Sequence, residues 1–210
     1  MAGTGPLRVG TPSGPAAVHL DDGDPAAAVL VLGHGAGGGI EAPDLLAARA
    51  AALALGLRVA RVEQPWRVRG RRVAEAPPRL DAAWLAVLAT LPGPYVLGGR
   101  SSGARTACRT AAHVGDVRAV LCLAFPLLPP GGTRSRAPEL AIPLVPRLVV
   151  QGARDAFGVP PAGPGVQVHV VPGADHGFAV RRRDGRSSRE DVDAEVRDAV
   201  RAWLDAQALG

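Results

Sequence analysis

The sequence predicts an α/β fold, a mostly parallel central sheet covered by helices on both faces. Three observations lead there. Short runs rich in Val and Leu alternate with Ala/Leu/Arg stretches of helical period, the rhythm of strand-helix-strand units. Residues 28–33 are almost continuously apolar, as a strand buried on both faces must be. Near the C-terminus Val192, Val196, Val200, Trp203 and Leu204 form one amphipathic stripe, and Ser188 three residues before Asp191 has the spacing of a capping box.

The remaining elements follow in order. Residues 7–11 and 16–20 read as an opening hairpin around Pro12-Ser13-Gly14, and strand 28–33 runs into the loop His34-Gly35-Ala36-Gly37-Gly38-Gly39. A helix over 44–55 packs through Leu45, Leu46 and Leu53 and is stopped by Gly56. Strand 57–62 leads into an Arg-rich loop, 64–77, that carries Trp66. A helix over 79–90 presents Leu80, Trp84, Leu85 and Leu88. Strand 95–99, helix 102–114, strand 117–123, a Pro-rich connection over 125–146, and strands 147–152 and 166–171 complete the pattern. Neither a repeat nor a linker interrupts it, so residues 1–210 are expected to form one domain.

Composition narrows the functional classes. With 47% hydrophobic and 20% charged residues the chain is globular rather than disordered, and at 3% aromatics its core must be built from Val, Leu and Ala. Apolar runs are too short to span a bilayer, and residues 1–14 lack a charged head followed by an apolar stretch. A cytoplasmic protein without membrane partners is expected. Cys108 and Cys122 stand in apolar surroundings and read as reduced, buried side chains. The net charge is +5, yet Lys and Asn are absent while Arg, Ala, Gly and Pro abound. That pattern reads as a coding bias turning Lys into Arg, so a nucleic-acid partner is not expected. The clusters Arg67, Arg69, Arg71, Arg72 and Arg181, Arg182, Arg183, Arg186, Arg189 are read as solvated surface, with polyanion binding the weaker alternative.

The chemistry centres on Gly99-Arg100-Ser101-Ser102-Gly103. In a chain with 27 glycines this pattern alone carries little weight; its context carries more. A predicted strand runs straight into a predicted helix at Ser102, and so tight a turn forces unusual backbone angles on Ser101. Gly99 and Gly103 remove side chains that would collide with the neighbouring strand and helix. A serine hydroxyl needs a base, and the base needs an orienting acid. Asp155 follows strand 147–152 and His176 follows strand 166–171, each at a carboxyl end, where open α/β sheets place their sites. The order Ser, Asp, His is the one that this strand-turn-helix arrangement uses. Asp175 is the substitute acid, while His19, His113 and His169 read as structural or surface histidines. Oxyanion donors are expected from the N–H of Ser102 and from the loop after strand 28–33, Ala36 first and Gly37 second. His34 is read as orienting that loop. Arg100 either pairs with a buried carboxylate beneath the turn or attracts an anionic substrate.

The stretches Leu32-Gly33-His34-Gly35-Ala36-Gly37-Gly38, Gly98-Gly99-Arg100-Ser101-Ser102-Gly103-Ala104-Arg105, Phe125-Pro126-Leu127-Leu128-Pro129-Pro130-Gly131, Gln151-Gly152-Ala153-Arg154-Asp155-Ala156-Phe157-Gly158 and Gly173-Ala174-Asp175-His176-Gly177-Phe178 carry a resemblance. Together they resemble the α/β-hydrolase-like family of bacterial predicted hydrolases related to NSL complex regulatory subunits and testis-expressed homologues, and more distantly dienelactone hydrolases. The resemblance implies the α/β-hydrolase fold and maps nucleophile, acid and base onto Ser101, Asp155 and His176. Ser102 departs from the bulkier residues, such as Met, common at that place in the family, which implies a roomier site.

The segment between Leu123 and Arg147, where larger relatives insert a lid, is short here, so no separate lid domain and an open or shallow site are expected. The resulting expectation is a serine hydrolase acting on a small-molecule ester or thioester through an acyl-enzyme, with no metal and no organic cofactor. The alternative is a catalytically idle scaffold of the same fold that works by binding a partner.

Overall fold

The computed structural model describes residues 5–180, 188–207 and 209. One eight-stranded sheet organises them. Strands β1 (Leu7–Val9), β2 (Ala16–Asp21), β3 (Val29–Gly33), β4 (Arg58–Glu63), β5 (Tyr95–Arg100), β6 (Val117–Leu123), β7 (Arg147–Gly152) and β8 (Val166–Val171) lie in the order β1-β2-β4-β3-β5-β6-β7-β8. The hairpin β1-β2 and the pair β2-β4 are antiparallel, and every pairing from β4 to β8 is parallel. This is the α/β-hydrolase fold in its architecture, with no lid: between β6 and β7 only the short helix α5 (Ala137–Leu140) interrupts the connection.

Alternation along the strands feeds two cores. Leu30, Leu32, Val59, Leu121, Leu148 and Val150 face α1 (Pro43–Leu53) and α6 (Arg189–Asp205). Val29, Val31, Ala60, Val62, Leu97, Val120 and Cys122 face α3 (Pro77–Leu88) and α4 (Ser102–Thr110). Adjacent residues of one strand thus enter opposite layers, as the two-residue side-chain period requires. Cys108 and Cys122 are both buried free thiols, with sulfurs 3.5 Å apart.

Several boundaries differ from those the sequence predicts, the helix starts for a common reason. Helices α1 and α3 begin at Pro43 and Pro77, before the expected starts at 44 and 79, and the supposed loop 64–77 opens with a helical turn, α2 (Pro65–Val68). Proline is well placed at the first helical position, where its missing N–H is not needed. The helix after Ser101 ends at Thr110 and continues as a 3-10 turn, Ala111–His113, rather than running to 114. Thr110 Oγ donates back to the Thr106 carbonyl at 2.8 Å, a bond that competes with helix continuation. The capping box at Ser188 is present in full. Arg67, Arg69, Arg71 and Arg72 are exposed, whereas Arg181, Arg182, Arg183 and Arg186 lie outside the described residues. Among the described residues no helix is long and apolar enough to cross a membrane.

The topology itself creates a crevice. The chain leaves β3 for α1 on one face and leaves β5 for α4 on the other, so the loops at adjacent carboxyl ends diverge. If α6 is held mainly by its apolar stripe, Leu204→Ala, at a position 1% exposed, should cost about 2–5 kcal/mol in urea unfolding. Arg197→Ala on the exposed face should stay within about 0.5 kcal/mol.

Candidate active site

Ser101 sits at the β5-α4 junction with φ 54° and ψ −110°, a conformation L-residues rarely adopt. Its N–H donates to the Leu123 carbonyl at 2.9 Å, which anchors the turn to the end of β6. The flanking glycines are sterically obligatory. A Cβ on Gly99 would lie 2.4 Å from the Gly33 carbonyl oxygen, and one on Gly103 would lie 2.2 Å from that same oxygen. Helix α4 therefore starts pressed against the last residue of β3, and the Ser101 side chain is left at the sheet edge.

Two side chains from neighbouring strand ends complete a hydrogen-bonded chain. His176 Nε2 lies 3.0 Å from Ser101 Oγ, and His176 Nδ1 lies 2.7 Å from Asp155 Oδ2. Because a carboxylate accepts, Nδ1 carries the proton and Nε2 is left to accept from the hydroxyl. Asp155 is buried and fully used: the Phe157 N–H donates to Oδ1 at 2.8 Å, and Gln151 Nε2 donates to Oδ2 at 2.6 Å. Gln151 is itself fully buried, and its amide nitrogen also faces the Phe125 and Gly158 carbonyls at 3.2 and 3.0 Å. Three acceptors around one atom fix that atom as the nitrogen. The Phe157 ring meets the imidazole edge to face at 4.6 Å and limits its rotation.

The other predicted residues take distinct places. Asp175 is engaged elsewhere: its Oδ1 accepts from the N–H groups of Gly177 and Ala179 at 2.8 and 2.9 Å and shapes the loop that carries His176. His19 lies in β2, His113 is exposed, and His169 lies in β8, bonded to Glu195 at 3.0 Å. Arg100 pairs with a buried carboxylate, as the first of its two readings holds. Its Nε is 3.0 Å from Asp44 Oδ2 in the first turn of α1, and its Nη2 donates to the His176 carbonyl at 3.0 Å. Burial pushes the Asp44 carboxyl above the usual carboxylate range, against the pull of Arg100 and the helix N-terminus.

Ala36, Gly37 and Ser102 all border one cavity of about 420 Å³ together with Ser101, Phe157 and His176. Their three backbone N–H groups find no acceptor among the described residues. A Cβ on Gly35 would stand 3.4 Å from the Ser101 Cβ, so the glycine loop lies directly against the turn. His34 orients that loop from beneath: Nδ1 donates to the Gly35 carbonyl at 2.9 Å, and Nε2 accepts the Gln64 N–H at 3.1 Å. Trp66, 1% exposed, packs against its ring at 5.3 Å. Among the described residues no three His, Cys, Asp or Glu side chains gather as metal ligands.

A family model described as an alpha/beta hydrolase domain matches residues 26–205. The chain belongs to that family. The hydrolase domain is similar in structure to a serine hydrolase homologue from Coxiella burnetii, at 19% identity and TM-score 0.75, covering 97% of this chain and 99% of the other. It is also similar to a serine hydrolase without a lid from Xanthomonas campestris, at 20% identity, TM-score 0.70 and coverage of 97% and 96%. A third similar structure is dienelactone hydrolase from Anabaena variabilis, at 16% identity, TM-score 0.70 and coverage of 95% and 96%. At these identities the likeness is one of fold. No curated protein matches the sequence.

Sequence reasoning singled out Arg100 but missed Gln151, Phe157, Asp44, Arg105 and Arg136. Gln151 left a signal, a lone amide ending an apolar strand run four residues before Asp155.

The His34 site has a pH signature. Burial holds its imidazole below the ordinary value of 6.5, and protonation would aim a second donor at the Gln64 N–H. As pH falls through 6.5 the unfolded chain takes up a proton that the folded one resists, so stability declines. In His34→Gln an amide oxygen can accept from Gln64 without titrating. The stability gap between wild type and this variant should be constant above neutrality and should shrink below pH 6.5 in urea titrations. A gap independent of pH would contradict this account.

Proposed function

We propose that this protein is a serine hydrolase cleaving an ester or thioester of a small molecule through an acyl-enzyme. The observation that supports this most is the continuous chain from Ser101 Oγ through His176 to Asp155, at 3.0 and 2.7 Å, beside three unengaged N–H groups. A hydroxyl so placed can attack a carbonyl carbon while Nε2 takes its proton. The carbonyl oxygen becomes an oxyanion, and the N–H groups of Ser102 and Ala36, with Gly37 as the second loop donor, are available to stabilise it. Asp155 faces the imidazolium that forms. The proton then passes to the leaving alcohol or thiol. Water repeats the sequence on the acyl-enzyme, releasing the acid and restoring Ser101. Each step uses groups of this chain and water alone.

The size of the cavity favours a small substrate, since about 420 Å³ lies near the lower end of the range for small-molecule sites. The connection between β6 and β7 supplies only Pro126, Pro130 and Arg136 to the rim, with α5 as its single helix. A long acyl chain would find little to bury against.

A fluorophosphonate probe tests the reading. Wild type should be labelled, and Ser101→Ala should not. With p-nitrophenyl acetate, Ser101→Ala and His176→Ala should each lower kcat by about 10⁴-fold or more, and Asp155→Asn should lower it by a comparable order. Folded wild-type protein that neither labels nor turns over the ester would sink the hydrolase reading.

A further inference from the structure

Three arginines border the cavity above Ser101, Arg100, Arg105 and Arg136, and no Asp or Glu among the described residues does. Two of the three are engaged by carboxylates. Arg100 faces Asp44, and Arg105 donates through Nε and Nη2 to both oxygens of Glu139 at 2.7 and 2.6 Å. Arg136 differs. Its Nη1 donates to the Pro126 and Leu128 carbonyls, each at 3.2 Å, which pins the guanidinium plane at the cavity rim. Its Nε and Nη2 have no acceptor among the described residues. Glu139, the nearby acid, is taken by Arg105 and by Arg109 at 3.1 Å. Partial burial and the neighbouring charge of Arg105 both work against the Arg136 cation, and an anion beside it would relieve both.

We infer that Arg136 binds a carboxylate carried by the substrate, so that the preferred ester bears a free acid group. The open Nε/Nη2 edge of a guanidinium presents two parallel N–H donors, the geometry that matches the two oxygens of a carboxylate. Nη1 cannot turn away to follow a different partner without releasing both carbonyls. Ser101 and Arg136 border the same cavity, so its dimensions limit the separation of the scissile carbonyl and the acid. The substrate class follows: half-esters of small dicarboxylic acids, or small esters with an acid on the alcohol side. For its substrate this inference rests on the hydrolase reading; for its binding it does not.

The test is therefore a binding experiment in a background without chemistry. Ser101→Ala is titrated with monomethyl glutarate and with methyl valerate, which replaces the carboxylate by a methyl group, and Kd is read from NMR shifts. Monomethyl glutarate should bind at least tenfold more tightly. In the double variant with Arg136→Gln the two esters should bind within twofold of each other, and Arg136→Lys should keep part of the preference through charge without the fork. Equal affinity for both esters, undetectable binding of both, or a preference that survives Arg136→Gln would overturn the inference. A preference lost only because methyl valerate binding also collapses would count against it as well. If wild type binds the half-ester with this preference but is not labelled by the fluorophosphonate and hydrolyses neither it nor p-nitrophenyl acetate, the hydrolase reading fails and the anion site stands.

Discussion

The arrangement of the site depends on one backbone contact. The carbonyl oxygen of Gly33, at the end of β3, lies where a Cβ of either Gly99 or Gly103 would have to be. Only because both are glycines can α4 begin directly against the central strand, and only then does Ser101 take its φ of 54°. The strain in that residue, on the order of 1–3 kcal/mol, is set against the two cores that clamp β3, β5 and α4 together. Loosening the contact would lower Ser101 toward the sheet and separate it from the glycine loop at once, because Gly35 leans on the same turn. The candidate nucleophile and the N–H groups proposed as oxyanion donors are thus positioned by a single packing constraint rather than by two.

A second layer fixes what approaches Ser101 from the far side of the sheet. His176 sits on a loop, and a loop this close to a reactive hydroxyl needs external restraint. Arg100 supplies part of it by donating to the His176 carbonyl, and Arg189 donates to the next carbonyl, that of Gly177, at 3.0 Å. Arg100 is in turn held by Asp44, so a residue adjacent to the serine, the first turn of α1 and the histidine loop move as one unit. A buried ion pair is poor evidence of stability, since desolvation cancels much of the attraction. Its value here is directional, because it commits the guanidinium and aims its free edge at one carbonyl. Gln151 does the same for Asp155 without a charge.

The fold was legible because strands buried on both faces leave continuous apolar runs, and 28–33, 117–123 and 147–152 show them plainly. Ser101, Asp155 and His176 were legible as candidates because each comes shortly after the carboxyl end of a strand, so topology brings them to one edge whatever lies between. What stayed hidden has a physical reason. Asp44 and Arg100 are more than fifty residues apart, and local pattern carries no record of such a pair. Arg136 stands in a Pro-rich stretch without period, where neither helix nor strand logic assigns a direction to a side chain. The helix starts expected at 44 and 79 lie at Pro43 and Pro77, where proline in the first turn costs nothing.

Charge was the least legible property at the level of the whole chain and the most informative at the level of single forks. Using Arg in place of Lys raises the isoelectric point without changing the net charge, and the +5 is only the excess of 24 arginines over 19 carboxylates. Yet guanidinium is planar and pairs by geometry, and the structure uses it so: Arg49 with Asp21, Arg105 with Glu139 and Arg109 with Asp81 are each two-pronged. In an environment where arginines so consistently meet carboxylates, excess charge at the surface says little, because exposed ions are screened by salt and water. A partly buried fork whose second edge meets no acceptor among the described residues is different, because burial weighs against its charge and Glu139, the acid that favours it, is already bonded to Arg105 and Arg109. The meaning of an arginine in this molecule lies in what meets its edges: Arg147 spends its donors on the carbonyls of Leu140, Pro164 and Gly165, whereas Nε and Nη2 of Arg136, on the border of the cavity it shares with Ser101, meet no acceptor among the described residues.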